Sequence, residues 1–346
     1  MDPLRDEARP RPTMREVAAL AGVSLKTVSR VVNDEPGVSD DLVERVRRAA
    51  RTLDYQPNLT ASSLRRNDGK TKTIGLLLEN VANPFSGALH RAVEDVARAR
   101  GVLVFAGSLD EDHSRERELA TAFVSRRVDG LIVVPAGHDQ SYLAMERKAG
   151  TPMVFVDRPP TLLDADAVLT ANEDGARRAV AHLIDHGHRR IAYLGDFRTI
   201  STAVERYAGY TTALERAGIS IDLSLVRQDL HTSEAASTAL PEVLDHTDPP
   251  TAVFASQNLI TIGAIRALRE RGVHREVALV GFDDILLADL LEPGLTLVVQ
   301  DVAAMGVLAA ELLFRRLDGD NAPSARHVLE TRLVTRGSGE IPGPFA

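Results

Sequence analysis

The chain has 346 residues, 44% of them hydrophobic and 26% charged, a globular composition long enough for about two domains. It contains no cysteine, which excludes disulfide scaffolds, thiolate catalysis and zinc sites built on thiolates, and fits a cytoplasmic location. The net charge of −8 argues against a polyanion partner as a bulk figure. Yet eleven of the Lys and Arg, against seven of the Asp and Glu, lie within residues 9–66, so a basic amino-terminal module precedes an acidic body.

Residues 1–12, MDPLRDEARPRP, are charged and Pro-rich without an apolar segment, and read as a disordered arm rather than a secretory signal. Residues 13–57 carry helix signals and no strand signal. Thr13 and Glu16 have the spacing of a capping box at a helix start, and Val17, Leu20 and Ala21 then share a face. Gly22 ends that helix in a left-handed conformation, and Ser24 caps the next, about Leu25 to Asn33. Val28, Val31 and Val32 point inward, which leaves Leu25, Lys26, Ser29, Arg30 and Asn33 on the opposite face. A short helix after a tight glycine turn has the geometry of a recognition helix in a major groove. Lys26 and Arg30 suit guanine O6 and N7, and Leu25 suits a thymine methyl. The same spacing also suits the ordinary charged surface of a small helical bundle. A third helix starts at Ser39, with Asp40 and Asp41 in its first turn and Val43, Val46, Ala50 and Leu53 toward the core. Asn58, preceded by Pro57, can cap a two-turn helix over 58–66, too short to persist alone in water. Residues 67–73 read as a linker.

From Ile74 onward short apolar runs alternate with helical stretches: IGLLL (74–78), VLVF (102–105), LIVV (131–134), MVFV (153–156), RIAYLG (190–195), TAVFA (251–255) and VALV (277–280). This is the pattern of buried parallel strands in an α/β body, and about 260 residues favour two lobes over one open sheet. The expected division places 74–170 and 300–325 in lobe 1 and 171–299 and 326–335 in lobe 2. The Gly- and Pro-rich stretch 336–346 reads as a disordered tail. Ligands of such folds bind between the lobes at the carboxyl ends of the strands. Asn83 and Phe85 follow the first strand, Asp110 the second, Asp157 and Arg158 MVFV, and Asp283 VALV. Thr202 and Arg206 open the helix after RIAYLG.

TMREVAALAGVSLKTVSRVVN (13–33) followed by VSDDLVERVRRAARTLDYQPN (38–58) closely resembles the DNA-binding headpiece of the LacI/GalR family of bacterial transcriptional regulators. NPF (83–85), VDG (128–130), VDRP (156–159), GHRRIAYLG (187–195), ERYAGY (205–210), VGFDD (280–284) and LTLVVQD (295–301) resemble that family's ligand-binding body, in the same order. The resemblance implies a helix-turn-helix headpiece, a hinge helix and a two-lobed body like the periplasmic binding proteins, with doubly wound parallel sheets. It implies a homodimer on a pseudo-palindromic operator and a small effector, a carbohydrate by preference, between the lobes. Leu25, Lys26 and Arg30 match the family's base-reading positions, and Thr13, Ser24, Thr27 and Ser29 match or neighbour its phosphate contacts. Leu64 matches the leucine that wedges into the minor groove, and Ala61 lets two hinge helices approach. Arg206 and Asp283 match its most characteristic ligand contacts. Four pocket positions depart from the pattern. Gln257 and Asn258 stand where Asn-Asp is usual, Ala171 where an acid often begins a pair, and Leu230 where an aromatic often closes the pocket. They imply a pocket with one fewer acid and one fewer ring.

Other signals are better read as structural. His182, His186 and His188 have metal-like spacing but no interleaved carboxylate. Gly69-Lys70-Thr71 lacks the earlier glycine and the strand of a phosphate loop, and Glu111 and Asp112 read as solvated loop charge. No motif meets the geometric roles of catalysis, and neither a cofactor, a metal nor a membrane partner is expected. The expected function is a sequence-specific repressor whose operator affinity is set by an effector. The alternatives are a solute-binding protein or a regulator responsive to nucleosides or purines.

Overall fold

A computed structural model describes residues 12–33, 35–56 and 70–346. The expected arm over 1–11 and the hinge positions Asn58, Ala61 and Leu64 lie outside the described residues. The chain divides into two compact units, Met1–Thr71 and Lys72–Ala346.

The first unit holds α1 (Met14–Ala21), α2 (Leu25–Val32) and α3 (Asp40–Thr52). The capping box forms as the sequence requires: the Thr13 amide donates to Glu16 Oε2 at 2.6 Å and the Glu16 amide to Thr13 Oγ1 at 3.4 Å. Gly22 takes φ 62°, and Ser24 Oγ accepts from the Thr27 amide at 3.1 Å. Val17, Ala18, Ala21, Val28, Val31, Val46 and Ala49 make the core. Leu20 is not part of it. It is 53% exposed, because the face of α1 turned to α2 and α3 is centred on Val17 and Ala21, with Ala18 as the third member. Arg45 of α3 locks the turn by donating to the Ala21 carbonyl at 2.7 Å, where the carboxyl end of α1 favours a cation.

In the second unit a six-stranded sheet has the order β11-β5-β4-β3-β1-β2. Its strands are β1 (Thr73–Leu78), β2 (Leu103–Ser108), β3 (Leu131–Val133), β4 (Met153–Val156), β5 (Asp166–Thr170) and β11 (Arg326–Leu329). A second has the order β12-β10-β9-β8-β6-β7, from β6 (Ile191–Leu194), β7 (Val226–Arg227), β8 (Ala252–Ala255), β9 (Ala278–Phe282), β10 (Thr296–Val299) and β12 (Arg332–Val334). Every pairing is parallel except β10 with β12. The central strands are fully buried apolar runs, because helices cover both faces. In lobe 1, α4 (Pro84–Ala99) and α11 (Val302–Leu317) pack on one face and α5 (His113–Ser125) on the other. A short α6 (Ala144–Lys148) precedes β4. In lobe 2, α9 (Ser233–Leu244) and α10 (Asn258–Glu270) cover one face, and α7 (Asn172–Asp185) and α8 (Ser201–Arg216) the other.

Two expectations are corrected. Residues 326–329 belong to lobe 1, since β11 pairs in parallel with β5, and only β12 returns to lobe 2. Both are edge strands with exposed positions, so no buried apolar run marked them. The 336–346 stretch is ordered against lobe 2. Ser338 Oγ donates to the Leu279 carbonyl at 2.6 Å, and the Gly343 amide donates to the His186 carbonyl at 2.8 Å. Its glycines permit that close path: a side chain at Gly343 would strike the backbone of Gly187. The three histidines serve the same seam. His182 pairs with Glu340, His186 Nδ1 bonds the His182 carbonyl, and His188 lies between Thr251 and the Ile341 carbonyl.

The chain passes between the sheets at Ala171, at Gln300–Asp301 and at Glu330–Thr331. Beside the first crossing, α7 and α8 touch through Gly209, where an added Cβ would lie 2.3 Å from the Glu173 carbonyl oxygen. Gly209→Ala should therefore destabilise the protein by about 1–3 kcal/mol in urea unfolding, the usual cost of overpacking. Gly87→Ala, in the exposed turn of α4 with open space around it, should stabilise by about 0.5–1 kcal/mol by helix propensity.

Candidate functional site

On the first unit the exposed start of α2 is the candidate contact surface. Leu25 and Lys26 project from it. Ser24 and Thr27 share a hydrogen bond between their hydroxyls at 2.9 Å, and Ser29 is half-buried beside Asn33. Arg30 is turned back: its guanidinium bonds the Pro36 carbonyl and lies 3.7 Å from Glu35. The reason is local. The turn through Glu35, Pro36 and Gly37 presents an acceptor and a carboxylate beside the last turn of α2. A half-exposed pair of this kind is worth at most about 1 kcal/mol, so Arg30 can exchange it for a base edge at little cost.

In the second unit the carboxyl ends of the two sheets face each other across a cleft. Lobe 1 contributes Glu79, Asn83, Phe85, Asp157 and Arg158; lobe 2 contributes Asp196, Thr202, Arg206, His231, Asn258 and Asp283; Gln300 lies in a crossing between them. Asp157 follows β4 and Asp283 follows β9, equivalent strands of the two sheets. Both take a left-handed backbone, φ 69° and 70°, which costs a non-glycine residue about 1 kcal/mol or more and aims the carboxylate off the strand end. Their amides bond the neighbouring strands, Asp157 to the Val168 carbonyl and Asp283 to that of Val298.

Among the described residues, each cation of the cleft faces a carboxylate. Arg158 grips Glu111 with two bonds of 2.7 Å and donates to the Pro135 carbonyl at 3.0 Å. Arg206 donates to Asn172 Oδ1 at 2.9 Å and to the Ser256 carbonyl at 2.7 Å, stands 3.5 Å from Asp283, and lies 3.8 Å over the Phe282 ring. His231 sits 2.8 Å from Asp196 and 3.5 Å from Glu79, stacked on Phe197. Two of these contacts join the lobes: His231 to Glu79, and Asn258, whose amide donates to Asn83 Oδ1 at 2.8 Å. The remaining cavity is about 50 Å³, room for one or two waters.

Of the nine residues expected to contact an effector, Asn83, Phe85, Asp157, Arg158, Thr202, Arg206, Gln257 and Asp283 line this cleft. Asp110 does not. It is exposed and paired with Arg115, because the left-handed turn at Asp110–Glu111 sends the next carboxylate inward instead. Glu111 is accordingly a buried partner of Arg158, not solvated loop charge. Gln257 lies at the wall, but its carbonyl caps α10 by accepting from the Leu259 and Ile260 amides. Leu230 is packed in the lobe 2 core. The cleft is rich in acids, against expectation, since Glu79 and Asp196 add two. A strand-end rule would have found both, because they follow β1 and β6, again equivalent strands. His231 has no sequence signal of its own.

Burial pushes the Asp157 carboxyl up to about 6; Arg158 and Arg206 oppose that shift, and Asp283 and Glu111 add to it. The bonds to Asp196 and then Glu79 push His231 up to about 10, so it is an imidazolium at neutral pH.

Residues 13–58 match the family described as bacterial regulatory proteins, lacI family, and residues 180–339 match the periplasmic binding protein-like domain. The HTH-type transcriptional regulator CelR of Thermobifida fusca is 36% identical over 344 residues, 96% of this chain and 100% of that protein. The chain belongs to the LacI family. A structure of a CelR–cellobiose complex aligns at 34% identity with a TM-score of 0.70, over 95% of this chain and 100% of the other. A lac repressor dimer bound to operator and the anti-inducer ONPF aligns at 27% identity with a TM-score of 0.83, over 95% and 99%. This LacI-family member is thus an effector-controlled DNA-binding repressor. Its interlobe cleft places the arginine and the aspartate on which the resemblance was drawn side by side.

The His231 bridge has a pH signature. The native state holds a proton that the unfolded chain releases near 6.5, so the stabilisation is complete below that pH and is lost as pH rises toward about 10. The melting temperature should fall more steeply between pH 7 and 10 in the wild type than in His231→Gln, by a slope equivalent to about one proton in calorimetry.

Proposed function

We propose that this regulator represses transcription as a homodimer on a pseudo-palindromic operator, and that a sugar or sugar derivative entering the interlobe cleft changes its operator affinity. One observation carries the reading: a strand-end cleft, between lobes joined by three crossings, that gathers Arg206, Asp283, Asp157 and Asn83 around a single cavity. Leu25 and Lys26 would meet base edges, joined by Arg30 once it leaves Glu35. Thr13, Ser24, Thr27 and Ser29 would meet phosphates. Asn58 would cap the hinge helix, Ala61 would let two such helices approach, and Leu64 would be the minor-groove wedge. The protein would act in the cytoplasm, as a regulator rather than an enzyme.

A cavity of about 50 Å³ is smaller than a monosaccharide, so a sugar enters only if the lobes part and the Glu79–His231 and Asn83–Asn258 bridges break. The effector then shifts the equilibrium between lobe arrangements by its different affinity for each. The dimer reading rests on exposed apolar side chains. Leu103 and Phe105 stand on the edge strand β2, and Leu286, Leu287 and Leu290 on the loop after β9. An exposed apolar edge strand is a surface that a folded protein ordinarily covers.

Selection of operators from a random DNA pool with purified protein should enrich a pseudo-palindrome with a kinkable central step. Arg206→Ala should abolish the effector response on that operator while leaving its affinity in the absence of effector within about threefold; loss of operator binding would count against the assignment. Leu290→Glu combined with Phe105→Glu should shift the protein to monomer in sedimentation and lower operator affinity by at least tenfold, since one headpiece then meets one half-site.

A further inference from the structure

The cleft discriminates by charge. Its lining holds four acidic side chains, Glu79, Asp157, Asp196 and Asp283, with Glu111 held against Arg158 from behind, and three basic ones, Arg158, Arg206 and His231. Each cation already has its counter-charge: Glu111 holds Arg158 with two bonds, Asp283 stands at Arg206, and Asp196 and Glu79 flank His231. No cation is left over for an anionic ligand, and a phosphate or carboxylate group would lie beside Asp157 and Asp283 in a site shielded from water, where like charges repel most strongly. Gln300 Oε1, Ser256 Oγ and Arg158 Nε are buried without a hydrogen-bond partner among the described residues; Arg158 Nε faces Asp157 at 3.4 Å, and the Gln300 amide is spent on Asp283 at 2.5 Å. An unpaired buried acceptor calls for a donor, which a hydroxyl supplies and a phosphate dianion does not. Phe85 and Val134 offer an apolar patch for the carbon face of a sugar ring.

We infer that the effector of this regulator is an uncharged polyhydroxyl compound, and that the cleft rejects the phosphorylated and carboxylated forms of the same sugar. This rests on the cleft being the effector site. His231 is a specificity-determining residue in this arrangement, because it bridges the two carboxylates that the opposed lobes bring together after β1 and β6. Glu111 is the other, because it occupies the one guanidinium pair that would otherwise clamp an anion.

The test is calorimetric titration of the full-length protein with matched probes: ribose, galactose, glucose and cellobiose against ribose 5-phosphate, galactose 6-phosphate, glucuronate and cellobionate. In every pair that binds, the uncharged member should bind at least tenfold more tightly. A charged member that binds as tightly as its neutral partner overturns the inference while leaving the effector site in place. Glu111→Gln should release Arg158 and narrow the gap at least threefold, and a folded variant with an unchanged gap counts against the charge argument. Should that variant not fold, Glu79→Gln gives the same reading through His231. If no probe of either kind binds while operator DNA is still bound, the effector reading of the cleft falls and the inference falls with it.

Discussion

Charges buried between two lobes must find partners, and the body of this protein is arranged around that requirement. Removing an ion from water costs several kcal/mol, which only close counter-charges and hydrogen bonds offset. Arg158, Arg206 and His231 each lie against carboxylates, and Arg206 gains a further bond from Asn172 in the first crossing between the lobes. Two contacts between the lobes, His231 to Glu79 and Asn258 to Asn83, are likewise polar. Contacts of this kind exchange readily for water.

The two sheets repeat one strand order, and the repeat explains where the acids are. The strands β4 and β9 occupy the same place and end in Asp157 and Asp283; β1 and β6 do so and lead into Glu79 and Asp196. Parallel strands deliver their carboxyl ends to one edge, so facing sheets bring these residues together without any sequence proximity. Three crossings hold the edges in register, and Asn172 and Gln300, at the first and second of them, touch Arg206 and Asp283 directly. A ligand bonded to either residue acts on the strap that joins the lobes as well as on the lobes.

The headpiece follows a different economy. Its core is small, and its helices are fixed by caps and by Arg45 on the end of α1. These are short-range devices, each worth about 1 kcal/mol, and they leave the start of α2 exposed. At that start Leu25 and Lys26 are exposed on a capped helix.

Local chemistry was legible in the sequence because its causes lie within a few residues. The Thr13–Glu16 capping box, the left-handed Gly22, the Ser24 cap and the central strands depend on propensity, spacing and apolar runs, and each stands where those rules put it. Family motifs extended that reach to Arg206 and Asp283. What depends on the third dimension was decided only there. β11 joins lobe 1 because of a parallel edge pairing with β5, and residues 336–346 are ordered because glycines let the backbone lie against Gly187. Glu111 rather than Asp110 turns inward to Arg158 because a turn rotates the side chains, and Arg30 turns back because Glu35 is near. His231 is pushed up to about 10 because two carboxylates, from residues 79 and 196, meet at its ring. A linear chain states which charges exist; only folding sets the distances between them, and electrostatic energy depends on those distances.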